Sequence, residues 1–195
     1  MNSDIEKAVK IFNQGGIIIF PTDTVFGIGC RLDREGAIKR VFKIRNRPEK
    51  KAMLAVVDSI EMAQEYLQPV PYDVRVKLME KYWPGGLTII LPCKTEKVPA
   101  IARGGGSTLG VRQTNQPLLL EILKTIKVPL IAPSANFAGE KTPIKFSDLD
   151  PKLISLVDFV LPGESLGQKP STIVDCSQNP WEIIRKGKIL LNSVS

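Results

Sequence analysis

Histidine is missing from this 195-residue chain, and that absence removes whole reaction classes. Without an imidazole there is no Ser-His-Asp triad, no imidazole general base and no histidine metal site. Cysteine is scarce: Cys30, Cys93 and Cys176 stand far apart without CxxC spacing, which argues against a zinc knuckle or a disulfide framework and predicts buried, reduced thiols. Aromatic residues make up only 6% of the chain, and few lie beside basic residues, so stacking of single-stranded nucleic acid has little support. No apolar run is long enough to span a bilayer, and residues 1–10 carry charges of both signs without a signal-peptide apolar block. The expectation is a soluble, cytoplasmic protein with no membrane partner.

What remains is cationic. Lys and Arg total 27 against 20 Asp and Glu, a formal net charge of +7, which biases the surface toward anions such as nucleotides, pyrophosphate or RNA. A hydrophobic content of 43% supports a full core, and the length suits one domain over residues 1–195. Catalysis, if present, must rest on carboxylates, hydroxyls, amides and cations, which suits reactions that need charge positioning more than proton relays.

Hydrophobic periodicity predicts an opening helix with Ile5, Ala8, Val9 and Phe12 on one face, a capping box from Ser3 to Glu6, and an end at Gly15-Gly16. A strand over 17–20 follows, then a helix over 34–45 closed by Pro48 that carries Arg45 and Arg47 to its C-terminal end. Strands are expected at 53–57, 87–91, 108–111, 130–132, 157–161, 172–174 and 183–184, and helices at 59–66, 72–82 and 116–125. This irregular alternation favours a mixed α/β (α+β) architecture, a three-layer twisted mixed sheet, over a strict βαβ series.

Polar groups collect where the strands stop. The run 17–20 ends at Pro21, which has no N–H to continue a ladder, and releases Thr22, Asp23 and Thr24 beside Gly27 and Gly29. The densest cationic stretch, residues 39–51, contains Arg45 and Arg47, whose planar forks suit phosphate oxygens, although charge alone equally describes a solvated helix face. Ser134 and Asn136 follow the strand at 130–132, Ser171 precedes the one at 172–174, Arg112 follows Val111, and Arg185 follows Ile183-Ile184. The cluster Gly104-Gly105-Gly106 offers backbone N–H groups to a phosphate or simply makes a turn. Gly139-Glu-Lys-Thr142 lacks the adjacent Gly-Lys of a Walker motif.

In this order, PTDTVFGIGC (21–30), FKIRNRP (42–48), WPGGLT (83–88), GVR (110–112), PSAN (133–136), PSTIVD (170–175) and IIRKG (183–187) resemble the YrdC-like threonylcarbamoyl-AMP synthase family over nearly the whole chain. The resemblance implies helices on both faces of the sheet, a basic central cavity, and a single-domain form without the extra C-terminal domain of some relatives. It implies a nucleotidyltransferase that joins L-threonine, bicarbonate and ATP into threonylcarbamoyl-AMP and pyrophosphate for modification of tRNA adenosine 37. The family's basic motif falls on Arg45 and Arg47, implied as catalytic, and nucleotide binding extends to Ser134, Asn136, Ser171 and Arg185. Thr22, Thr24 and Arg112 match the threonine side. Mg²⁺ would accompany ATP with few protein ligands. Implied partners are tRNA or double-stranded RNA and the proteins that transfer the threonylcarbamoyl group to tRNA. Arg45 stands where the family usually has lysine, Asp23 where glutamate is common, and Gly86 where proline is common. Ile44-Arg45 and residues 166–170 also resemble the YciO-type sibling group. A sibling with weak or different nucleotide chemistry, or a double-stranded RNA-binding module, are the alternatives.

Overall fold

The computed structural model describes residues 2–191. Its strands are β1 (Ile18–Phe20), β2 (Gly27–Arg31), β3 (Leu54–Val57), β4 (Leu87–Pro92), β5 (Thr108–Gln113), β6 (Leu130–Ile131), β7 (Phe159–Val160), β8 (Thr172–Asp175) and β9 (Glu182–Arg185). They form one mixed sheet in the order β7-β1-β2-β6-β3-β5-β4-β8-β9. Helices α1 (Ser3–Asn13) and α6 (Pro117–Ile126) pack together on one face, and α2 (Glu35–Ile44) covers the other. The remaining helices are α3 (Ile60–Tyr66), α4 (Tyr72–Val74), α5 (Glu80–Tyr82) and α7 (Pro151–Ile154).

Successive side chains of a strand point to opposite faces, so strands β1 and β3 feed two cores. Ile17 and Ile19 join α2 residues such as Val41 and Phe42, while Ile18 and Phe20 join Phe12 of α1 and Leu119 of α6. Ala55 and Val57 face the first core, Val56 the second. Along β4, β5 and β8 the first core takes Leu87, Ile89, Leu91, Leu109, Val111 and Val174. Their neighbours Thr88, Ile90, Gly110, Arg112, Ile173 and Asp175 therefore look to the opposite face. There α1 and α6 do not reach, which leaves that half of the sheet uncovered by either helix.

Several local expectations shift. The cap of α1 is Asn2, whose side chain accepts from the Asp4 N–H at 3.0 Å, one residue before the expected Ser3; Asn is as good an acceptor there as Ser. Strand β2 was hidden in the sequence because Gly27 and Gly29 have little strand propensity. They are required by packing: a Cβ on Gly29 would lie 1.6 Å from the Ile131 carbonyl oxygen of neighbouring β6. The single helix expected at 72–82 is interrupted by a π-helical segment, Arg75–Met79. A π-turn adds a residue to the turn, so the consecutive Leu78 and Met79 both reach the core. The Gly104–Gly106 cluster lies in the connection from β4 to β5. Gly104, at φ +60°, packs against the Lys50 carbonyl and none of the three glycines lines the cavity described next.

Candidate functional site

The uncovered half of the sheet is the floor of a cavity of about 260 Å³. Thr88 and Ile90 of β4, Gly110 and Arg112 of β5, and Ile173 and Asp175 of β8 lie on that floor, with Arg185 of β9 paired to Ile173 at its edge. The roof is made by loops that leave strand and helix ends: Thr22–Gly27 after β1, Arg45 and Arg47 after α2, and Pro133-Ser134 after β6. Of the residues singled out in the sequence, Thr22, Thr24, Arg45, Arg47, Arg112, Ser134, Ser171 and Arg185 line this one hollow. Asn136 does not; its amide nitrogen donates to the Phe137 and Glu140 carbonyls at 2.8 and 2.9 Å.

Each guanidinium is anchored through part of its fork. Arg45 caps α2, and its Nε donates to the Asn136 carbonyl at 3.0 Å while Nη2 reaches Ser134 Oγ at 3.4 Å. Arg47 donates from Nη2 to the Ala52 carbonyl at 2.9 Å. Arg185 donates from Nε and Nη2 to the carbonyl and hydroxyl of Ser171, at 3.0 and 3.1 Å. Arg112 is almost fully buried and donates from Nη1 to Asp23 Oδ1.

Arg45, Arg47 and Arg185 are short of counter-charge. Burial first, then the neighbouring Arg47, pulls Arg45 down to about 10. Burial alone lowers Arg47, and burial followed by the charge of Arg112 lowers Arg185. Asp175 is the one carboxylate on the lining. Arg45 Nη1 and Arg47 Nε are buried without an acceptor, a cost of about 1–3 kcal/mol each. The cavity is thus electrostatically prepared for a polyanion.

The hydroxyls are also oriented. Thr22 Oγ1 gives its proton to the Val25 carbonyl at 2.7 Å and accepts the backbone N–H groups of Thr24 and Val25. Thr24 Oγ1 lies 2.9 Å from it, and both threonines line the cavity. Thr88 Oγ1 and Ser171 Oγ are 2.8 Å apart.

Thr88, Asp175, Thr114 and Lys188 are not among the residues expected from the sequence, and Asp23 is expected there without a site. The alternation of β4 and β8 could have pointed to Thr88 and Asp175. Nothing local marks Lys188, whose Nζ reaches the Asp23 carbonyl at 2.8 Å from beyond β9. The loop after β7 closes on the same place: a Cβ on Gly167 would lie 2.6 Å from the Thr24 carbonyl oxygen. All three cysteines are free and buried, and burial pushes Cys30 and Cys176 up to about 12, so neither offers a thiolate. Among the described residues no three His, Cys, Asp or Glu gather as a metal site, and no helix is long and apolar enough to cross a membrane.

The Sua5/YciO/YrdC family profile, described as "Telomere recombination", matches residues 10–187. Threonylcarbamoyl-AMP synthase of Bacillus subtilis (strain 168) is 29% identical over 189 residues, covering 95% of this chain and 54% of the relative. That of Stenotrophomonas maltophilia (strain K279a) is 34% identical over 174 residues, covering 88% of this chain and 92% of the relative. The crystal structure of P. abyssi Sua5 complexed with L-threonine superposes with a TM-score of 0.86 at 28% identity, covering 94% of this chain and 54% of that chain. The chain thus spans about half the length of some curated relatives and nearly all of others. By a profile match over most of its length, and by the fold it shares, the chain belongs to the Sua5/YciO/YrdC family.

Proposed function

We propose that this protein is a threonylcarbamoyl-AMP synthase, joining L-threonine, bicarbonate and ATP with release of pyrophosphate. The observation that carries the reading is the convergence of four guanidiniums and six hydroxyl groups, from distant parts of the chain, on one small hollow. Such a set matches a triphosphate beside a small amino acid. Arg45, Arg47, Ser134, Ser171 and Arg185 take the nucleotide, and Thr22, Thr24 and Arg112 take threonine, with the Arg112 fork on its carboxylate. Asn136 serves through its carbonyl, which holds Arg45 Nε.

The chemistry needs alignment and charge neutralisation. The bicarbonate carbon joins the threonine nitrogen with loss of water, and a carboxylate oxygen of that adduct displaces pyrophosphate at the α-phosphorus in line. Negative charge builds on the leaving pyrophosphate, where Arg45 and Arg47 supply fixed cations. No protein nucleophile or imidazole is required. With a single carboxylate, Asp175, on the lining, the donor set suits Mg²⁺ brought by ATP and held mainly by phosphate and water rather than by a protein cage; the ion would add neutralisation of the phosphate charge.

The product would feed the threonylcarbamoyl modification of tRNA adenosine 37 through transfer proteins, and the basic surface would accept tRNA or double-stranded RNA with strong salt dependence. A YciO-type reading is favoured by one observation: Arg45 bonds both Asn136 and Ser134, and such a planar fork does not reproduce a lysine point charge. Pyrophosphate release decides. Purified protein with Mg-ATP and bicarbonate should release pyrophosphate only when L-threonine is added; its absence, beside an active synthase control, would sink the reading. Arg45→Lys should keep or raise turnover in a synthase and leave a sibling inactive.

A further inference from the structure

Behind the amino-acid end of the cavity lies a carboxylate that the reaction does not touch. Asp23 is fully buried and absent from the lining. Its Oδ1 accepts from Arg112 Nη1 and, at 2.6 Å, from Thr114 Oγ1, while Oδ2 is sealed without a partner. Its backbone is held as well: the carbonyl accepts Lys188 Nζ at 2.8 Å, and Gly167 packs so close that a Cβ there would sit 2.7 Å from the same oxygen. Arg112 shows the converse pattern. Nη1 is its one bonded nitrogen among the described residues, neither Nε nor Nη2 is among the buried unpartnered atoms, and the residue lines the cavity.

A guanidinium fixed at Nη1 presents its Nε–Nη2 edge, two parallel N–H groups at the spacing of a carboxylate. Left unfixed, that side chain would sample other rotamers and lose entropy on binding. We propose that Asp23, itself locked by Thr114 and Lys188, is the positioning residue that presets Arg112 as a bidentate clamp for the substrate's carboxylate. The role rests on the proposed function for the identity of that carboxylate, L-threonine, and on geometry alone for the presetting. Asp23 acts through Arg112 and touches no substrate.

The test is calorimetric binding of L-threonine and, separately, of inorganic pyrophosphate to the full chain without ATP. Asp23→Asn should weaken threonine at least tenfold and change pyrophosphate less than twofold; in an Arg112→Gln background it should add nothing further. Unchanged threonine binding, an equal loss for both ligands, or additive losses would each overturn the role. Should Asp23→Asn not fold, Thr114→Val, which removes one lock on Oδ1, should weaken threonine two- to fivefold, and wild-type affinity there would count against the proposal. If the wild-type chain binds no threonine, the functional reading fails and the positioning is read by arginine side-chain NMR. Resolved Arg112 Nη signals that collapse in the Thr114 or Asp23 variant support presetting; signals already averaged in the wild type overturn it.

Discussion

Arg47 illustrates how a single side chain divides between fold and function. It is half-buried, with one bond to the Ala52 carbonyl and its Nε unmet, so its removal costs the fold little while taking a fixed cation from the cavity. Bonds to charged groups are worth about 1.5–3 kcal/mol. Arg47→Ala should therefore lower kcat/KM roughly 10- to 100-fold and move the melting temperature by less than about 2 °C; wild-type turnover would remove Arg47 from the machinery. Arg45 makes a second prediction. Its folded-state value is lowered from 12.5 to about 10, and a base lowered on folding costs stability while protonated, a cost relieved only as pH rises through about 10. At pH 7 that cost is fully present, so a bound polyanion should offset it. Pyrophosphate at about 100 times its Kd should raise the melting temperature by about 5–10 °C at pH 7, read by calorimetry; no shift would contradict an anion site. The basic pair could be read from the sequence because a helix end places residues two apart around one terminus. Asn136 could not, since the turn of residues 137–140 takes its amide.

At the scale of elements, the sheet holds through contacts no local pattern announces. Asp158 beside edge strand β7 accepts the Ile17 N–H at 2.7 Å and a two-armed contact from Arg40 at 2.6 and 3.0 Å, tying β1, β7 and α2. Burial pushes its carboxyl upward, but the bonds from Arg40 and Ile17 outweigh this and leave it below the ordinary 3.8. A carboxyl lowered on folding contributes stability above its unfolded value, lost as pH falls through the folded one. Asp158→Asn should thus be less stable than wild type at neutral pH, with the difference shrinking as pH falls below 3.8 and through the lowered folded-state value in denaturant titrations. Strand β2 gives a sharper case. Gly29→Ala would drive a Cβ into the Ile131 carbonyl and should destabilise by about 2–4 kcal/mol, seen as a lower urea midpoint. Strands rich in Ile, Val and Leu were legible from alternation; β2 was not, because its glycines answer to a neighbouring backbone rather than to its own preference.

For the whole molecule, the absence of histidine becomes a solution property. With no imidazole in the chain and the Cys30 and Cys176 thiols pushed up to about 12, no side chain of ordinary pKa titrates between the carboxylates and the remaining thiol. The melting temperature should stay within about 2 °C from pH 6 to pH 8, and a steep change inside that window would reveal a perturbed group. The cavity exists at this scale only. Helices α1 and α6 cover one half of a sheet face, and the other half keeps its polar residues because loops roof it at a distance and leave the cavity between.

The one-dimensional pattern was enough to determine the mixed architecture, most strand and helix positions though not β2 or α7, and the inventory of cations and hydroxyls, because periodicity and residue chemistry are local. Which of these groups meet was decided by the sheet order, which brings residues 22, 45, 112, 134, 171 and 185 around a single hollow. So was the pairing of Asp23 with Arg112, 89 residues apart, because a buried ion pair depends on long-range register that no short stretch of chain encodes.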